Sequence, residues 1–384
     1  MVGWKFLGIK NKCKIIFRYV FIVFVFLCLM PLKSFSKITG PCSECHTMHN
    51  SQNGKPVAEN GTSSKPFEAL LIGDCVYCHT GVNTGTNKIP YVNSPTAPTY
   101  NFGGTKNTLA GGNFYWVQTD DSKGHNVKGI VGPDATLGVV PPGYNNSTGY
   151  TEYGYSRPSV WPTTQQLTCA GNFGCHGRFD ANNPDLNDPI KAILGAHHKN
   201  ILRTNGTAPP TGVWDSYRFL WGIEGTESPD YEYNASTTNH NGYYASTTPD
   251  DPHSINYLCG ECHGRFHSNT YNGTYTSPWL RHPTDFDMNS LSDPQYSNYP
   301  NIKIFYGKLG VTATGDYFAD VPVGNTQGAV LSNVAGAGNA IVLCLSCHRA
   351  HGSPYSSILR WNYKAWPGVP DDQNGCLACH TNKW

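Results

Sequence analysis

Regular hydrophobic periodicity is rare along this chain of 384 residues. The best amphipathic segment outside the cysteine motifs covers residues 189–202, where Asp188 can cap a helix and Pro189 suits its first position. Residues 216–222 form a weaker helix candidate. Three stretches rich in Gly, Asn, Thr, Ser, Pro and Tyr predict ordered loops: 81–112, 131–165 and 225–250. The pattern predicts mostly irregular coil with short α-helices and few small strands.

The one long apolar run lies near the N-terminus, at residues 19–32. A basic segment with Lys5 and Arg18 precedes it, and Ser34 and Ser36 offer the small residues of a cleavage site. The run is shorter than the roughly 20 residues that span a bilayer. We therefore predict a secretory signal peptide over residues 1–36, export, and no permanent membrane anchor. A retained N-terminal helix is the alternative.

The formal charge is +1, from 27 Lys and Arg against 26 Asp and Glu. Without residues 1–36, which hold six positive charges and no negative one, it becomes −5. A near-neutral chain without Lys/Arg clusters predicts no nucleic-acid binding. The same removal takes away two of the 14 cysteines and leaves twelve.

Ten of these twelve cysteines fall in the pattern C-x-x-C-H. In this signature, two thiols add to the vinyl groups of a porphyrin and the following His binds the iron, so it predicts covalent c-type haem. Structural zinc needs no His after each second Cys, and a thioredoxin motif would occur once. The motifs are Cys42-Ser43-Glu44-Cys45-His46 (motif 1), Cys75-Val76-Tyr77-Cys78-His79 (motif 2), Cys259-Gly260-Glu261-Cys262-His263 (motif 4), Cys344-Leu345-Ser346-Cys347-His348 (motif 5) and Cys376-Leu377-Ala378-Cys379-His380 (motif 6).

The last two cysteines, Cys169 and Cys175, are separated by five residues instead of two, and His176 follows them (motif 3). The string Gly-Arg-Phe then follows, as it does after His263 in motif 4. We predict a looped-out haem motif, and hence six haems in total. A disulfide is the alternative, because an exported protein can form one.

The sixth coordination position of each iron needs a second ligand. Only Met48 and Met288 remain beyond the signal peptide, so bis-His ligation is the economical prediction. His49 and His351 each lie three residues after a proximal His, on the same face of the short helix expected there. Only one of the adjacent His197 and His198 is expected to bind iron, and His253 is expected at the surface. The full set of distal candidates is His49, His125, His197, His198, His240, His267, His282 and His351.

The motif spacing suggests three regions after residues 1–36. We predict an N-terminal dihaem unit over residues 37–130, a central region with two haem sites over 131–330, and a C-terminal dihaem unit over 331–384. Long loops with little periodicity imply that stacked haems replace much of the apolar core. Without haem the chain should therefore not fold.

Three strings carry a resemblance to a known family: residues 41–52, 277–285 and 344–355, the last reading Cys-Leu-Ser-Cys-His-Arg-Ala-His-Gly-Ser-Pro-Tyr. They resemble exported multihaem c-type cytochromes of metal-reducing bacteria, including outer-surface cytochromes of the OmcS and OmcE type, some of which polymerise into nanowires. The resemblance implies stacked bis-His haems and electron delivery to external acceptors. It also implies that His49 binds a haem of the next subunit and that His351 and His282 are distal ligands within the chain. For His125, His198 and His240 it implies this more loosely, and motif 3 departs from the family pattern.

The predicted function is a hexahaem cytochrome that carries electrons, not an enzyme. Expected partners are redox partner cytochromes, external acceptors such as metal oxides or other cells, and further copies of the chain in a homopolymer. The expected location is extracellular or on the outer surface. The alternatives are a periplasmic electron shuttle and a multihaem reductase with one open haem. A structural surface protein is disfavoured, because its haems would be idle.

Overall fold

The computed structural model describes residues 40–49, 51–52, 55–56, 67–144, 160–198, 210–267, 282–292 and 299–381. The chain divides into two units, Met1–Ser36 and Lys37–Trp384, and all described residues belong to the second. The predicted signal peptide lies outside the described residues, as do residues 145–159 of one predicted loop and residues 277–281 of one family string.

Regular secondary structure is sparse in the described residues, which confirms the predicted fold class. The α-helices are α1 (Cys75–Cys78), α2 (Pro189–Ala192), α3 (Ile255–His267), α4 (Ile302–Phe305) and α5 (Cys344–Cys347). The strands are β1 (Ser51–Gln52), β2 (Lys55–Pro56), β3 (Thr168–Ala170), β4 (Gly174–His176), β5 (Gly225–Thr226), β6 (Gly242–Tyr243), β7 (Val323–Gly324) and β8 (Ile341–Val342). They form two-stranded pairs, antiparallel except for the parallel pair β3–β4.

Single 3-10 turns connect these elements. They cover Cys42–Glu44, Glu68–Leu70, Phe114–Gln118, Asp121–Lys123, Pro184–Asn187, Ala196–His198, Tyr217–Phe219, Met288–Ser290, Lys308–Gly310, Ser356–Ile358, Tyr363–Ala365, Asp371–Gln373 and Gly375–Ala378. Most of the chain between them is irregular and is held by backbone hydrogen bonds between distant loops.

The helix predicted over residues 189–202 is much shorter than expected. Asp188 caps it and Pro189 occupies its first position, as predicted. It ends at Ala192, because the Ala192 carbonyl accepts a hydrogen bond of 2.7 Å from the Arg178 backbone N–H instead of continuing the helix. Gly195 then adopts a left-handed conformation (φ 78°) before the turn that carries His197 and His198. Residues 199–202 lie outside the described residues.

The helix predicted over residues 216–222 is wrong. Only a 3-10 turn forms at Tyr217–Phe219, and Arg218 within it has a left-handed φ of 50°. A short helix was also expected after motif 5, whereas α5 ends at Cys347 and His348 is extended (φ −109°, ψ 154°). There the chain pairs instead with Leu359, so the helical argument for His351 does not hold.

The apolar core consists of several separate clusters. The largest surrounds Phe305, Phe318 and Trp361 and includes Leu377 and Ala378 of motif 6. A smaller cluster holds Tyr144, Trp161 and Phe173 beside motif 3. Each cluster lies against one or more cysteine motifs, as expected if the remaining interior is filled by the attached groups.

A buried ion-pair network ties the N-terminal loops to motif 5. Asp320 accepts hydrogen bonds from Lys106 Nζ at 2.7 Å and from Arg349 Nη2 at 3.1 Å. Although burial alone would raise it, the pKa of Asp320 is lowered, because Lys106 and Arg349 favour the carboxylate. The network positions Arg349, which directly follows His348.

Candidate haem-binding site

The proximal His side chains share one hydrogen-bonding arrangement. In five motifs the Nδ1 atom lies 2.7–2.9 Å from a backbone carbonyl oxygen, which is an acceptor, so Nδ1 carries the proton. This fixes the tautomer and leaves Nε2 as the nitrogen available to a metal. The acceptors are the carbonyls of Ala69 for His46, Pro90 for His79, Arg218 for His176, Pro142 for His263 and Ser357 for His348.

Three of these carbonyls come from a recurring left-handed turn. Ala69, Arg218 and Ser357 have φ values of 58°, 50° and 59°, and the residue after each also has a positive φ. In each case the next residue is a Leu that pairs with the motif: Leu71 with His46, Leu220 with Gly177, and Leu359 with His348. Non-glycine residues adopt this conformation at a cost of about 1–2 kcal/mol. The sequence did not predict these turns, because a single Leu at variable spacing is their only common feature.

Five proximal His side chains each face a second His. Their ring centroids are separated by 5.7 Å for His46 and His198, 6.4 Å for His79 and His197, 6.3 Å for His176 and His351, 6.1 Å for His263 and His125, and 6.0 Å for His380 and His282. Two imidazoles on one metal ion, with metal–nitrogen distances of about 2.0–2.1 Å, have centroids roughly 6.3 Å apart.

The hydrogen bonds of the distal rings also support metal ligation. Packed aromatic rings also occur at such distances, but here the distal His125 and His282 likewise direct Nδ1 to carbonyls, of Ala350 (2.7 Å) and Pro283 (2.9 Å). Burial lowers the pKa of His125, His263 and His351, that of His263 to about 4 and that of His351 to about 3. A neutral, buried imidazole whose Nδ1 is bonded to a carbonyl, as in His125 and His263, leaves Nε2 free for a metal.

Motif 3 adopts a loop that explains its unusual spacing. Strands β3 and β4 carry Cys169 and Cys175, and the extra residues between them form a buried turn in which Gly171 has a left-handed φ of 86°. Phe173 at the tip packs edge-on against Trp161, with centroids 5.3 Å apart. The insertion is thus absorbed by a packed loop while His176 keeps the same environment as the other proximal His. No disulfide joins any of the described cysteines.

His351 lies at the most crowded of the paired positions. Its ring stacks on Phe114 at 4.8 Å, and its backbone N–H donates to the Gly111 carbonyl. A Cβ atom on Gly111 would lie 2.7 Å from His351 Nδ1, so this ring position requires glycine there. Nδ1 of His351 is buried and has no hydrogen-bond partner among the described residues, unlike Nδ1 of His125 and of His176.

The remaining candidates behave differently. His240 is buried, both of its ring nitrogens lie against backbone carbonyls (2.8 and 3.2 Å), and it stacks on Tyr317 at 3.5 Å. The ring of His240 therefore faces a tyrosine, and it faces none of the proximal His in the described part of the chain. His49 is exposed and faces none of the proximal His. The side chain of His267, at the end of α3, lies outside the described residues.

His253 forms an ion pair with Asp251 at 3.3 Å. His197 and His198, of which only one was expected to matter, both face a proximal His. His348 differs from the other proximal His, because no second imidazole faces it in the described part of the chain.

Successive motifs lie in contact along the chain. The Cys75 thiol of motif 2 lies close to that of Cys169 of motif 3, and the Cys259 thiol of motif 4 lies close to that of Cys344 of motif 5. Motifs 1 and 2 share one turn, because His198 and His197 are adjacent. His351, which faces motif 3, lies within electrostatic range of His125, which faces motif 4.

The contacts continue to the C-terminus, where Cys347 of motif 5 lies near Cys376 of motif 6. A cavity of about 840 Å³ opens between motifs 2 and 3, lined by Cys75, Cys169 and Asp188 among others. Paired imidazoles, cysteine pairs and space beside them all fit haem c. Repeated in contiguous motifs, they define a multihaem c-type cytochrome.

Comparison with known proteins agrees. The family described as Doubled CXXCH motif matches residues 334–383, which contain motifs 5 and 6. The chain is homologous to the C-type cytochrome OmcS of Geobacter sulfurreducens, at 25% identity over 84% of this chain and 78% of that protein.

Two solved structures are similar: "Outer Membrane Cytochrome S Filament from Geobacter Sulfurreducens" (19% identity) and "Cryo-EM of the OmcS nanowires from Geobacter sulfurreducens" (22% identity). Each likeness covers 85% of both chains with a TM-score of 0.46. No helix in the described ranges has the length and apolar character needed to cross a bilayer.

Proposed function

We propose that this protein is a hexahaem cytochrome that carries electrons along a continuous row of bis-His haems in extracellular electron transfer. The observation that carries the proposal is the set of five facing His pairs on motifs that touch in sequence order. Bound haem supplies the Fe(III)/Fe(II) couple. The chain supplies the order of the sites and closes their coordination, so that no vacant position is left for a substrate.

The proposed ligand pairs follow from the facing rings. Motif 1 uses His46 and His198, motif 2 uses His79 and His197, motif 3 uses His176 and His351, motif 4 uses His263 and His125, and motif 6 uses His380 and His282. The carbonyls that hold Nδ1 keep these rings oriented. His240 is not part of the proposed set, because its ring stacks on Tyr317 and faces none of the proximal His in the described ranges.

We further propose that His49 binds the iron at motif 5 of a neighbouring subunit. His348 has no facing imidazole within the described ranges, and His49 is an exposed imidazole beside Met48, which is 84% exposed. A ligand donated in one direction makes a head-to-tail contact, and such a contact generates a filament when its rotation does not close. The relative OmcS is the protein of solved nanowires.

Export by the segment 1–36 would place the filament outside the inner membrane. The partners proposed with it are redox partner cytochromes and external acceptors, such as metal oxides or other cells.

A second candidate function rests on the same observation at motif 5. If no second ligand reaches the iron bound by His348, that iron has an open coordination position. The protein would then be a periplasmic shuttle or a multihaem reductase. Electron microscopy of the natively purified, haem-loaded protein separates the two. Uniform filaments one subunit wide, with all haems low spin, support the conduit. Discrete particles with one high-spin haem support the alternative and contradict polymerisation.

The haem at motif 3 can be tested by counting. Intact mass is expected to show six haems in the native protein and five after Cys169→Ala and Cys175→Ala together. Deletion of residues 171–173 provides a matched control, because it converts motif 3 to Cys-Ala-Gly-Cys-His and should retain six. Five haems in the native protein would contradict the looped-out motif.

Ligation by His351 predicts a specific redox change. His351→Met replaces one of two imidazoles at motif 3 with a thioether, and His/Met ligation raises the potential of a haem. We expect one component of a potentiometric titration to move to higher potential, and electron flow through the row to slow because this haem traps the electron. His253→Ala, which alters a His outside every pair, should leave the titration unchanged. An unaltered titration in His351→Met would show that His351 is not a ligand.

A further inference from the structure

Arg360 occupies an unusual position beneath motif 5. Its backbone N–H donates to the Cys347 carbonyl at 2.8 Å, and its Nε donates to the carbonyls of Leu345 (2.6 Å) and His348 (3.2 Å). The side chain is completely buried, at 0% exposure. The Nε contacts hold the guanidinium against the turn of motif 5. They do not involve its two terminal nitrogens, which remain available to another partner.

Those two nitrogens, Nη1 and Nη2, are buried and have no hydrogen-bond partner among the described residues. The neighbouring Arg349 shows the contrast, since its guanidinium bonds to the Tyr100 hydroxyl, the Ala110 carbonyl and the Asp320 carboxylate. Burial and the positive charge of Arg349 lower the pKa of Arg360, because neither favours its charged form. A buried guanidinium without a hydrogen-bonded counter-charge is strongly unfavourable, so an anion is expected at Nη1 and Nη2.

A second unpartnered donor lies next in the chain. Trp361 is buried, and its Nε1–H likewise has no partner in the described part of the chain. Its ring packs so closely over Gly375, at the start of motif 6, that a Cβ there would lie 2.2 Å from it. Arg360 lies within electrostatic range of Cys347 and His348 of motif 5. The unpartnered N–H groups are therefore located where motifs 5 and 6 meet.

The chemistry of these groups specifies their ligand. Guanidinium and indole nitrogens only donate, so the ligand must accept hydrogen bonds. The planar fork of arginine matches the two oxygens of a carboxylate. Two nearby carboxylates are already engaged, Asp320 by Lys106 and Arg349 and Asp285 by Asn256 and Thr284. Glu232, which lies within electrostatic range of Arg360, accepts a hydrogen bond from the Asn241 backbone N–H and does not bond to the guanidinium. Haem attached at motif 5 would bring propionate carboxylates to this region.

We propose that Arg360 is the binding site for a haem propionate between motifs 5 and 6, and that its buried positive charge sets the potential of that haem. This inference rests on the haem that the proposed function assigns to motif 5. A buried cation beside a haem stabilises the reduced form, which carries one more electron, because charges interact strongly where water is excluded.

Potentiometric titration of Arg360→Gln and Arg360→Lys tests this proposal. In Arg360→Gln, one component of the titration is expected to move to lower potential while the others stay in place. Arg360→Lys retains the charge and should restore most of the shift. Unchanged potentials in a fully haem-loaded Arg360→Gln protein would overturn the proposal, and so would equal shifts in both variants.

Two measurements keep the test independent of folding and of the proposed function. Intact mass reports whether a haem is attached at motif 5, and its absence would refute the proposed function itself. A high-resolution reconstruction of the unaltered, haem-loaded protein should show a carboxylate against Nη1 and Nη2 of Arg360. Water or chloride density there, with the propionates directed elsewhere, would refute only the role of Arg360.

Discussion

Replacing His49 with alanine is expected to convert filaments into discrete subunits and to leave one haem of each subunit high spin. His49 is the exposed imidazole that faces none of the proximal His, and His348 is the proximal His without a facing imidazole in the described ranges. Removing the proposed intersubunit ligand would therefore leave the iron at motif 5 with an empty coordination position. It would also remove the iron–imidazole bond from every contact between subunits. Electron microscopy reports the first effect, and the high-spin absorption or paramagnetic resonance signal reports the second.

His253→Ala is the matched control for this experiment. It removes a histidine that lies outside every facing pair and whose Nδ1 lies 3.3 Å from a carboxylate oxygen of the partly exposed Asp251. Exposed ion pairs contribute about 0–1 kcal/mol, so filaments and spin state should be unaffected. If His49→Ala still forms filaments with every haem low spin, the ligand at motif 5 comes from elsewhere, and the His267 side chain is the next candidate.

Producing the chain without covalent haem attachment is expected to abolish folding altogether. The α-helices of the described residues other than α3 are four residues long, and the strands are two or three residues long. Isolated helices shorter than about 12–15 residues and isolated strand pairs are marginal in water. The apolar clusters are small and separate, so the haem-free chain should lose its entire free energy of unfolding, typically about 5–15 kcal/mol for a domain.

Circular dichroism and thermal melting measure this effect. The haem-loaded protein should unfold cooperatively, whereas the haem-free chain should show a coil spectrum and no transition. The protein with both cysteines of motif 3 replaced provides an intermediate case, because it would lack one haem only. A cooperative transition in the haem-free chain would show that the protein core is sufficient without the cofactor.

Prediction of secondary structure from the sequence succeeded at caps and failed at helix lengths. Asp188 and Pro189 begin α2 as predicted, since capping is decided by a few adjacent residues. The helix then stops because Ala192 bonds to Arg178, a tertiary contact that has no trace in local periodicity. The left-handed turns at Ala69, Arg218 and Ser357 were likewise missed, because carbonyls that hold proximal His rings impose that conformation.

The sequence alone was sufficient to predict covalent haem c and the points where it would be attached. Covalent attachment of haem c requires two cysteines and a histidine within one short turn, so the chemistry is written in adjacent positions. The prediction of a haem site at motif 3 has the same basis, namely its final Cys-His and the Gly-Arg-Phe that follows. Mostly irregular structure was also predictable, because haem takes the place of the periodic apolar residues that normally mark helices and strands.

Only the tertiary structure decided which histidines face each other. His46 and His198, or His176 and His351, lie more than a hundred residues apart, and local spacing cannot relate them. The fold also places the ring of His240 against Tyr317 and directs both His197 and His198 toward a proximal His. The unpartnered nitrogens of Arg360 became visible in the same way. The physical reason is that attachment depends on neighbouring residues, whereas coordination and charge pairing depend on where distant segments meet.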